Sequence, residues 1–381
     1  MEKTIRLVGR IDTTNAEKIE ADINKEIENF EGQLILDAKD LEYISSSGLR
    51  IIMRLKKKND LTKVINCSLE IYEIFHMTGF TQIMDISKSL REMSIEGCEK
   101  IGEGFYGVVY RINNETIVKV YKKGNSIDSV KKEVELARKA FVLGIPTAIP
   151  YDIVRVGDLY GSVFELINSS SLQKLIIDGA DIDKLAKESV EVLKKIHSTK
   201  LEEGELPSRR IEKIKWAKDC CEFLPENTGK KLVDLLEKLP ETNTMLHGDF
   251  HIKNIMKQND EIILIDMDTI SVGHPIFELG AIYATYKGFA CVDKNNTLDF
   301  LGIPLEQSQE FLRLTYKYYF EGKSQEYIDE VLNKAKIVCY LQVLWIRSKY
   351  MEEGNEIHKK DIEFAKNYLI ENVEKINTLE F

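Results

Sequence analysis

His247-Gly248-Asp249-Phe250-His251-Ile252-Lys253-Asn254, followed twelve residues after Asn254 by Asp266 in EIILIDMDT, is the stretch on which the reading of this chain turns. Asp249 and Asn254 stand five positions apart. Asp266 closes the apolar run Ile262-Ile263-Leu264-Ile265, which puts a carboxylate at the mouth of an expected strand. Phosphoryl transfer asks little covalent work of a protein and a great deal of positioning and charge neutralisation. One carboxylate must orient an acceptor hydroxyl and take its proton. A side-chain amide and a second carboxylate must hold the magnesium ions that bridge the phosphates. This stretch supplies those parts in that order and at the spacing such a loop uses. A surface loop before an ordinary buried strand is the plainer alternative. It accounts for each half but not for their succession.

HGDFHIKNIM with LIDMD resembles the aminoglycoside phosphotransferase and choline kinase group of kinase-like folds, which carries HGDxHxxN where protein kinases carry HRDxxxxN. The resemblance implies Asp249 as catalytic base and Asn254 and Asp266 as magnesium ligands. His247 and His251 would shape the loop, and for His251 a plain structural role stands on equal terms. Asp266-Met267-Asp268 replaces DFG and no APE follows, so the chain is not an ordinary eukaryotic-type protein kinase. Gly273-His274-Pro275 with Glu278-Leu279 resembles the group's GDPxxDLA segment, with His for the first Asp and Glu278 for the last.

Upstream, Ile101-Gly102-Glu103-Gly104-Phe105-Tyr106-Gly107-Val108-Val109 fits G-x-G-x-x-G-x-V. In a dinucleotide fold a helix would follow the last glycine. Here an apolar strand, the turn Asn113-Asn114-Glu115 and a second strand through Tyr121 predict a hairpin, which is the kinase arrangement. Gly102, Gly104 and Gly107 would let backbone amides approach the phosphates of ATP. Lys119, twelve residues after Gly107 and flanked by valines, matches the lysine that pairs the α- and β-phosphates. A helix is expected from Ser126 to Phe141. By the same resemblance Glu133, in preference to Glu135, would pair with Lys119, and the backbone from Glu165 to Ile167 would hold adenine. Residues 171–381 read as mostly helical. Leu312 to Tyr319 and Ile328 to Tyr350 are apolar at helical spacing, and Glu202 to Lys215 is a charged span that suits a substrate-side insertion or a solvated loop.

The first third alternates strand and helix signals. Thr4 to Val8 predicts a strand, Asn15 to Glu28 a helix, and Gln33 to Leu36 a short strand before the polar Asp37-Ala38-Lys39-Asp40. LVGRIDTTNA, LILDAKDLEYI, SSSGLR and MTGFTQIMDI resemble a STAS domain, the fold of bacterial anti-sigma-factor antagonists. In such antagonists the serine two places before the glycine is a phosphorylated switch, which makes Ser46 the candidate phosphosite. The Asp common before it is Ser45 here. A serine at a helix start is also an ordinary N-cap, so the cap reading of Ser46 stays open.

Composition sets the outer bounds. A chain of 381 residues with 43% hydrophobic and 30% charged residues suits a globular protein of two or three domains. A net charge of −10 disfavours a nucleic-acid partner. The charged N-terminus and the lack of any run of about 18 apolar residues predict neither a signal peptide nor a membrane span. Six cysteines without a CxxC pair predict reduced thiols and a cytoplasmic location.

The expected architecture is an α/β STAS domain over residues 1–92, then a two-lobed kinase-like α+β phosphotransferase fold over 93–381. Its smaller lobe would span about 93–170 and its helical lobe about 171–381. The expected activity is Mg-ATP-dependent transfer of the γ-phosphoryl to a hydroxyl on a small molecule or a protein serine, Ser46 included. The catalytic set is Asp249, Asn254, Lys119 and Glu133. The cofactor set is Gly102, Gly104, Gly107, Lys119, Glu165 and Ile167, with Asn254 and Asp266 on the metal. A regulatory protein partner would dock on the STAS domain. The other reading is a partner-switching regulator whose kinase part mainly senses nucleotide.

Overall fold

The structure, a computed structural model, describes residues 1–104, 106–350 and 355–381. Phe105 of the glycine-rich stretch therefore lies outside the described residues. The chain forms two units, Met1–Ser94 with Ile153–Leu159, and Ile95–Asp152 with Tyr160–Phe381.

The first unit is built on a parallel sheet in the order Glu2–Ile11, Gln33–Ile44, Lys63–Cys67 and Ile86–Lys88. Helices Ala16–Glu26, Ser46–Lys58 and Leu69–Met77 connect successive strands, as parallel pairing requires. Ile5, Leu7 and Ile11 are buried while Arg6 and Val8 are exposed, the period-two signature of a strand with one solvated face. The second strand does not stop at Leu36 as expected; it continues to Ile44. Its polar middle is tolerated because Ala38 and Leu41 are buried, and because Asp37 Oδ1 accepts from Asn66 Nδ2 at 2.9 Å. Gly48 closes the serine turn: a Cβ there would stand 2.6 Å from Ile44 Cγ1 and 2.9 Å from Ile11 Cγ2.

In the second unit, Glu99–Glu103, Gly107–Arg111, Thr116–Tyr121 and Leu159–Glu165 form antiparallel neighbours in the order first, second, third, fourth. The predicted hairpin is present. Gly107 permits it, since a Cβ there would lie 2.6 Å from Val120 O. Helix Ile127–Val142 starts at the Ser126 cap, whose Oγ accepts the Ser129 N–H at 3.1 Å. The rest is helical around one large apolar core, with helices Ile182–Ser198, Leu305–Tyr319 and Gln325–Lys349 among its walls. Among the described residues, no helix is long and apolar enough to cross a membrane.

Candidate active site

The stretch His247–Asn254 leaves the short strand Met245–Leu246, which pairs antiparallel with Ser271–Val272. Phe250 and Ile252 are buried and anchor the loop from below. The Ile252 N–H is further held by Tyr286 Oη at 2.9 Å. Beyond the loop, Ile255–Gln258 and Glu261–Leu264 form a hairpin that pairs Ile255 with Leu264. The Ile265 N–H then donates to Asn254 O at 2.9 Å. That bond brings residues 254 and 266 together although eleven others separate them along the chain.

Asp249 is the most densely partnered carboxylate of the loop. Its Oδ2 accepts from Asn254 Nδ2 at 2.9 Å and lies 3.3 Å from His251 Nε2. Its own N–H is accepted by His247 Nδ1 at 3.2 Å. Burial raises the Asp249 carboxyl, but the charges of His251 and His247 and the two side-chain hydrogen bonds outweigh it and hold the group down to about 2. The side chain remains 42% exposed. Burial dominates at His247, where it lowers the pKa, and Nε2 has no partner among the described residues.

Lys119 stands between the two acids that matter to it. Its Nζ lies 2.7 Å from Glu133 Oε1 and 3.4 Å from Asp266 Oδ1. Burial lowers the Lys119 pKa, the charges of Asp266 and Glu133 raise it, and the acids win. Glu133 and not Glu135 makes the pair because Val130, Val134 and Ala137 set the buried face of the helix and Glu133 lies on it; Glu135 is exposed. Asp266 has φ +62°, a conformation that a non-glycine residue keeps only when its surroundings over-determine it. Burial and the nearby Asp266 and Glu133 push Asp268 up to about 7.

Among the described residues a Cβ at Gly104 would meet nothing within 4 Å, and one at Gly102 would make ordinary contact with Val109 Cβ at 3.8 Å. In the expected adenine segment two backbone donors are already spent. The Glu165 N–H goes to Ile149 O at 2.9 Å and the Leu166 N–H to Glu115 O at 2.8 Å. Among the described residues Ile167 N–H is the donor that remains, which narrows the expectation for that segment. The Glu165 side chain has a job of its own, accepting the Ile149 N–H at 3.3 Å.

The donor set around Asp266 suits magnesium. Asn254 commits Nδ2 to Asp249, which leaves Oδ1 as the hard oxygen a cation takes, and Asp266 adds a carboxylate. No group of three or more His, Cys, Asp or Glu that could hold a metal gathers among the described residues. A magnesium ion here would thus draw the rest of its shell from phosphates and water.

Ser46 belongs to the first unit. It is exposed at the first position of helix Ser46–Lys58, and the cap is Ser45, whose Oγ accepts the Gly48 N–H at 3.4 Å. The cap reading of Ser46 is therefore corrected: its hydroxyl is not spent on the helix.

Two residues support the loop in ways the sequence does not specify. Glu278 is fully buried and accepts the N–H of His247 at 2.6 Å and of Gly248 at 3.0 Å. Burial raises its pKa, but His197, His247 and the loop amide lower it on balance. It is the lone charge in IFELGAIYATY, at the position that resembles the last Asp of GDPxxDLA. His197 backs it up: Nδ1 lies 2.6 Å from Tyr319 Oη and Nε2 3.8 Å from Glu278 Oε2.

A Bordetella bronchiseptica protein described as an anti-sigma factor antagonist, BtrV, is 31% identical over 87 residues, covering 22% of this chain and 75% of that protein. Among solved structures, the ADP-bound aminoglycoside phosphotransferase APH(2'')-Ib is similar at a TM-score of 0.49 and 18% identity, over 81% of this chain and 99% of the other. A choline/ethanolamine kinase family protein from Mesorhizobium loti is similar at a TM-score of 0.46 and 14% identity, over 73% and 92%. The sequence pattern of the STAS domain matches residues 3–93. That of the phosphotransferase enzyme family matches residues 97–292, just over half of the chain, and so this protein, with a STAS domain in front, belongs to the phosphotransferase enzyme family.

Proposed function

We propose that the chain is a Mg-ATP-dependent phosphotransferase acting on a hydroxyl acceptor, with the STAS domain as its regulatory part. The observation that carries this reading is the single cluster in which Lys119 reaches both Glu133 and Asp266, while Asn254 joins Asp249. Residues 1–92 would form the regulatory domain and 93–381 the catalytic one. We place the enzyme in the cytoplasm, on its scattered cysteines.

The geometry suggests the following roles. The glycine stretch, with Gly102, Gly104 and Gly107, would cover the phosphates, and Lys119, kept cationic by its acids, would neutralise them. Ile167 N–H and the backbone at Glu165 would hold adenine. Asn254 and Asp266 would hold magnesium, whose charge offsets that of the phosphates. Asp249 stays ionised well below neutral pH, so it can accept the proton of the acceptor hydroxyl as that oxygen bonds to the γ-phosphorus. The bond from phosphorus to the bridging oxygen breaks, and its electron pair leaves with ADP. Asn254 and His251 fix the base in its orientation.

The acceptor is a small hydroxyl compound or a protein serine. Ser46 is a candidate within the chain: it is exposed, its hydroxyl is free of the cap, and a linked substrate is present at roughly millimolar effective concentration when the linker allows contact. Intact-protein mass after incubation with Mg-ATP tests this. A gain of one phosphate, lost in Asp249→Ala and in Ser46→Ala, is expected for self-phosphorylation. ATP binding without mass gain or ADP release would move the reading to a nucleotide-sensing regulator.

A further inference from the structure

Position 248 has no side chain, yet the space beside it is filled. Gly248 lies at φ +88°, and a Cβ built on it would stand 2.2 Å from Arg209 Nη2 and 2.5 Å from Thr269 O. In protein kinases the same place in the loop carries the arginine of H-R-D. Here a guanidinium arrives from thirty-nine residues earlier in the chain.

Arg209 opens helix Arg209–Cys220, whose cap residue Ser208 bridges to Val272. Its donors are directed to three places. Nη2 donates to Thr269 O at 2.5 Å and Nε to Ser271 Oγ at 3.1 Å. Nη1 donates to Glu212 Oε2 at 2.6 Å, which fixes the head group. The arginine side chain is 12% exposed and Ser271 is buried, so these bonds compete little with water. Thr269 in turn donates from Oγ1 to His247 O at 2.8 Å. Thr269 and Ser271 follow Asp266 by three and five residues, so the arginine grips the segment just beyond the metal-binding position.

We propose that Arg209 is a positioning residue for phosphoryl transfer, tying the segment after Asp266 to the catalytic loop at Gly248 so that Asp266 and Asp249 stay in register. The inference rests on the phosphotransferase reading of the site. A guanidinium is required because its planar fork sends N–H groups along fixed, separate directions to a carbonyl and a hydroxyl; one ammonium cannot span both. Asp266, held at positive φ, has no intrinsic preference for its conformation and depends on such external ties.

The test uses the full chain and its Arg209→Ala and Arg209→Lys variants, with Asp249→Ala as the inactive control. ADP release from Mg-ATP, water being the acceptor, is measured with and without added guanidinium at non-denaturing concentration. Amide hydrogen exchange is followed over residues 245–254 and 266–272. For Arg209→Ala the expectation is a fall in kcat of about 100-fold, as misplacement by an ångström or so produces, with KM for ATP little changed. Guanidinium should restore part of that loss, and exchange should quicken in the two segments but not in helix Gln325–Lys349. Arg209→Lys should behave like the alanine variant without rescue. Unchanged exchange in both segments overturns the tie whatever the turnover. A loss of rate that guanidinium does not touch, with faster exchange across the long helix, overturns it too, as general loosening of the fold. Absence of ADP release from the parent chain, with quickened exchange confined to the two segments, would overturn the phosphotransferase reading and uphold the tie.

Discussion

The carboxylate of Glu278 accepts the backbone N–H of His247 at 2.6 Å, binding the HGDFHIKN loop to a helix thirty-one residues further on. The arrangement replaces water at two loop amides with a buried charge, and a buried charge deprived of its partners is costly. Glu278→Ala should therefore lower stability by about 1–3 kcal/mol by leaving those amides unpaired. It should also slow ADP release by more than the loss of folded protein explains. Glu278→Gln, with one oxygen acceptor instead of two, should fall between. Urea midpoints and turnover measured on the same samples separate the two effects.

Lys119 makes a different prediction, because its partner is charged. Lys119→Met removes the cation from between Glu133 and Asp266, and should reduce kcat/KM for ATP about 10²- to 10³-fold, as for loss of one preorganised electrostatic donor. Glu133→Gln should act in the same direction and more weakly, since Lys119 keeps Asp266 as a counter-ion. Glu135→Gln should leave kcat/KM unchanged, as that side chain is exposed. A drop with Glu135→Gln equal to that with Glu133→Gln would refute the pairing as the functional one.

Much of this site could be read from the chain because its parts are short and their spacing is local. The five-residue step from Asp249 to Asn254 and the glycines of 102–107 are motifs, and a motif needs no tertiary information. Arg209, Glu278 and His197 act on the loop from distant helices. Their partners lie far along the chain, the loop amides for Glu278, Thr269 O and Ser271 Oγ for Arg209, and Tyr319 and Glu278 for His197, and no local spacing records such pairings. The strand Gln33–Ile44 runs past the expected end at Leu36 for a related reason. Asp37 looks like a turn residue until Asn66, on a neighbouring strand, is seen to satisfy it. The choice of Ser45 over Ser46 as cap is decided by one residue of helix phase, below what three consecutive serines can reveal.

Asp266→Asn tests the metal role. The amide keeps the shape and loses the charge, so the Mg²⁺ concentration giving half-maximal ADP release should rise and kcat should fall. Chelation of Mg²⁺ should abolish ADP release from the parent. A variant with unaltered Mg²⁺ dependence would remove Asp266 from the metal site.

His274 supplies a pH dependence of stability. Burial, with the charges of His197 and Lys334, depresses its pKa to about 4, and its ring meets Phe381 edge-on at 5.0 Å. The folded form thus stays neutral between pH 4 and the unfolded value near 6.5, while the unfolded chain takes up a proton. More protons are bound unfolded, so stability falls as pH drops through that window. From pH 7 to 5 the loss should be about 1–2 kcal/mol. His274→Asn should show a correspondingly smaller loss over that interval, read as the shift in urea midpoint.

Ser45 and Ser46 separate a structural serine from a chemical one. Ser45 accepts the Gly48 N–H, and removing such a cap costs about 1 kcal/mol, so Ser45→Ala should unfold the first unit earlier in urea. Ser46 is exposed and makes no cap bond, and Ser46→Ala should stay within about 0.5 kcal/mol of the parent. The two variants also predict opposite mass spectra after Mg-ATP: phosphate retained in Ser45→Ala and absent in Ser46→Ala. That crossing matters because either measurement alone is ambiguous. A phosphate lost through unfolding of the first unit would accompany the destabilised variant. A phosphate lost because the acceptor oxygen is gone would accompany the stable one.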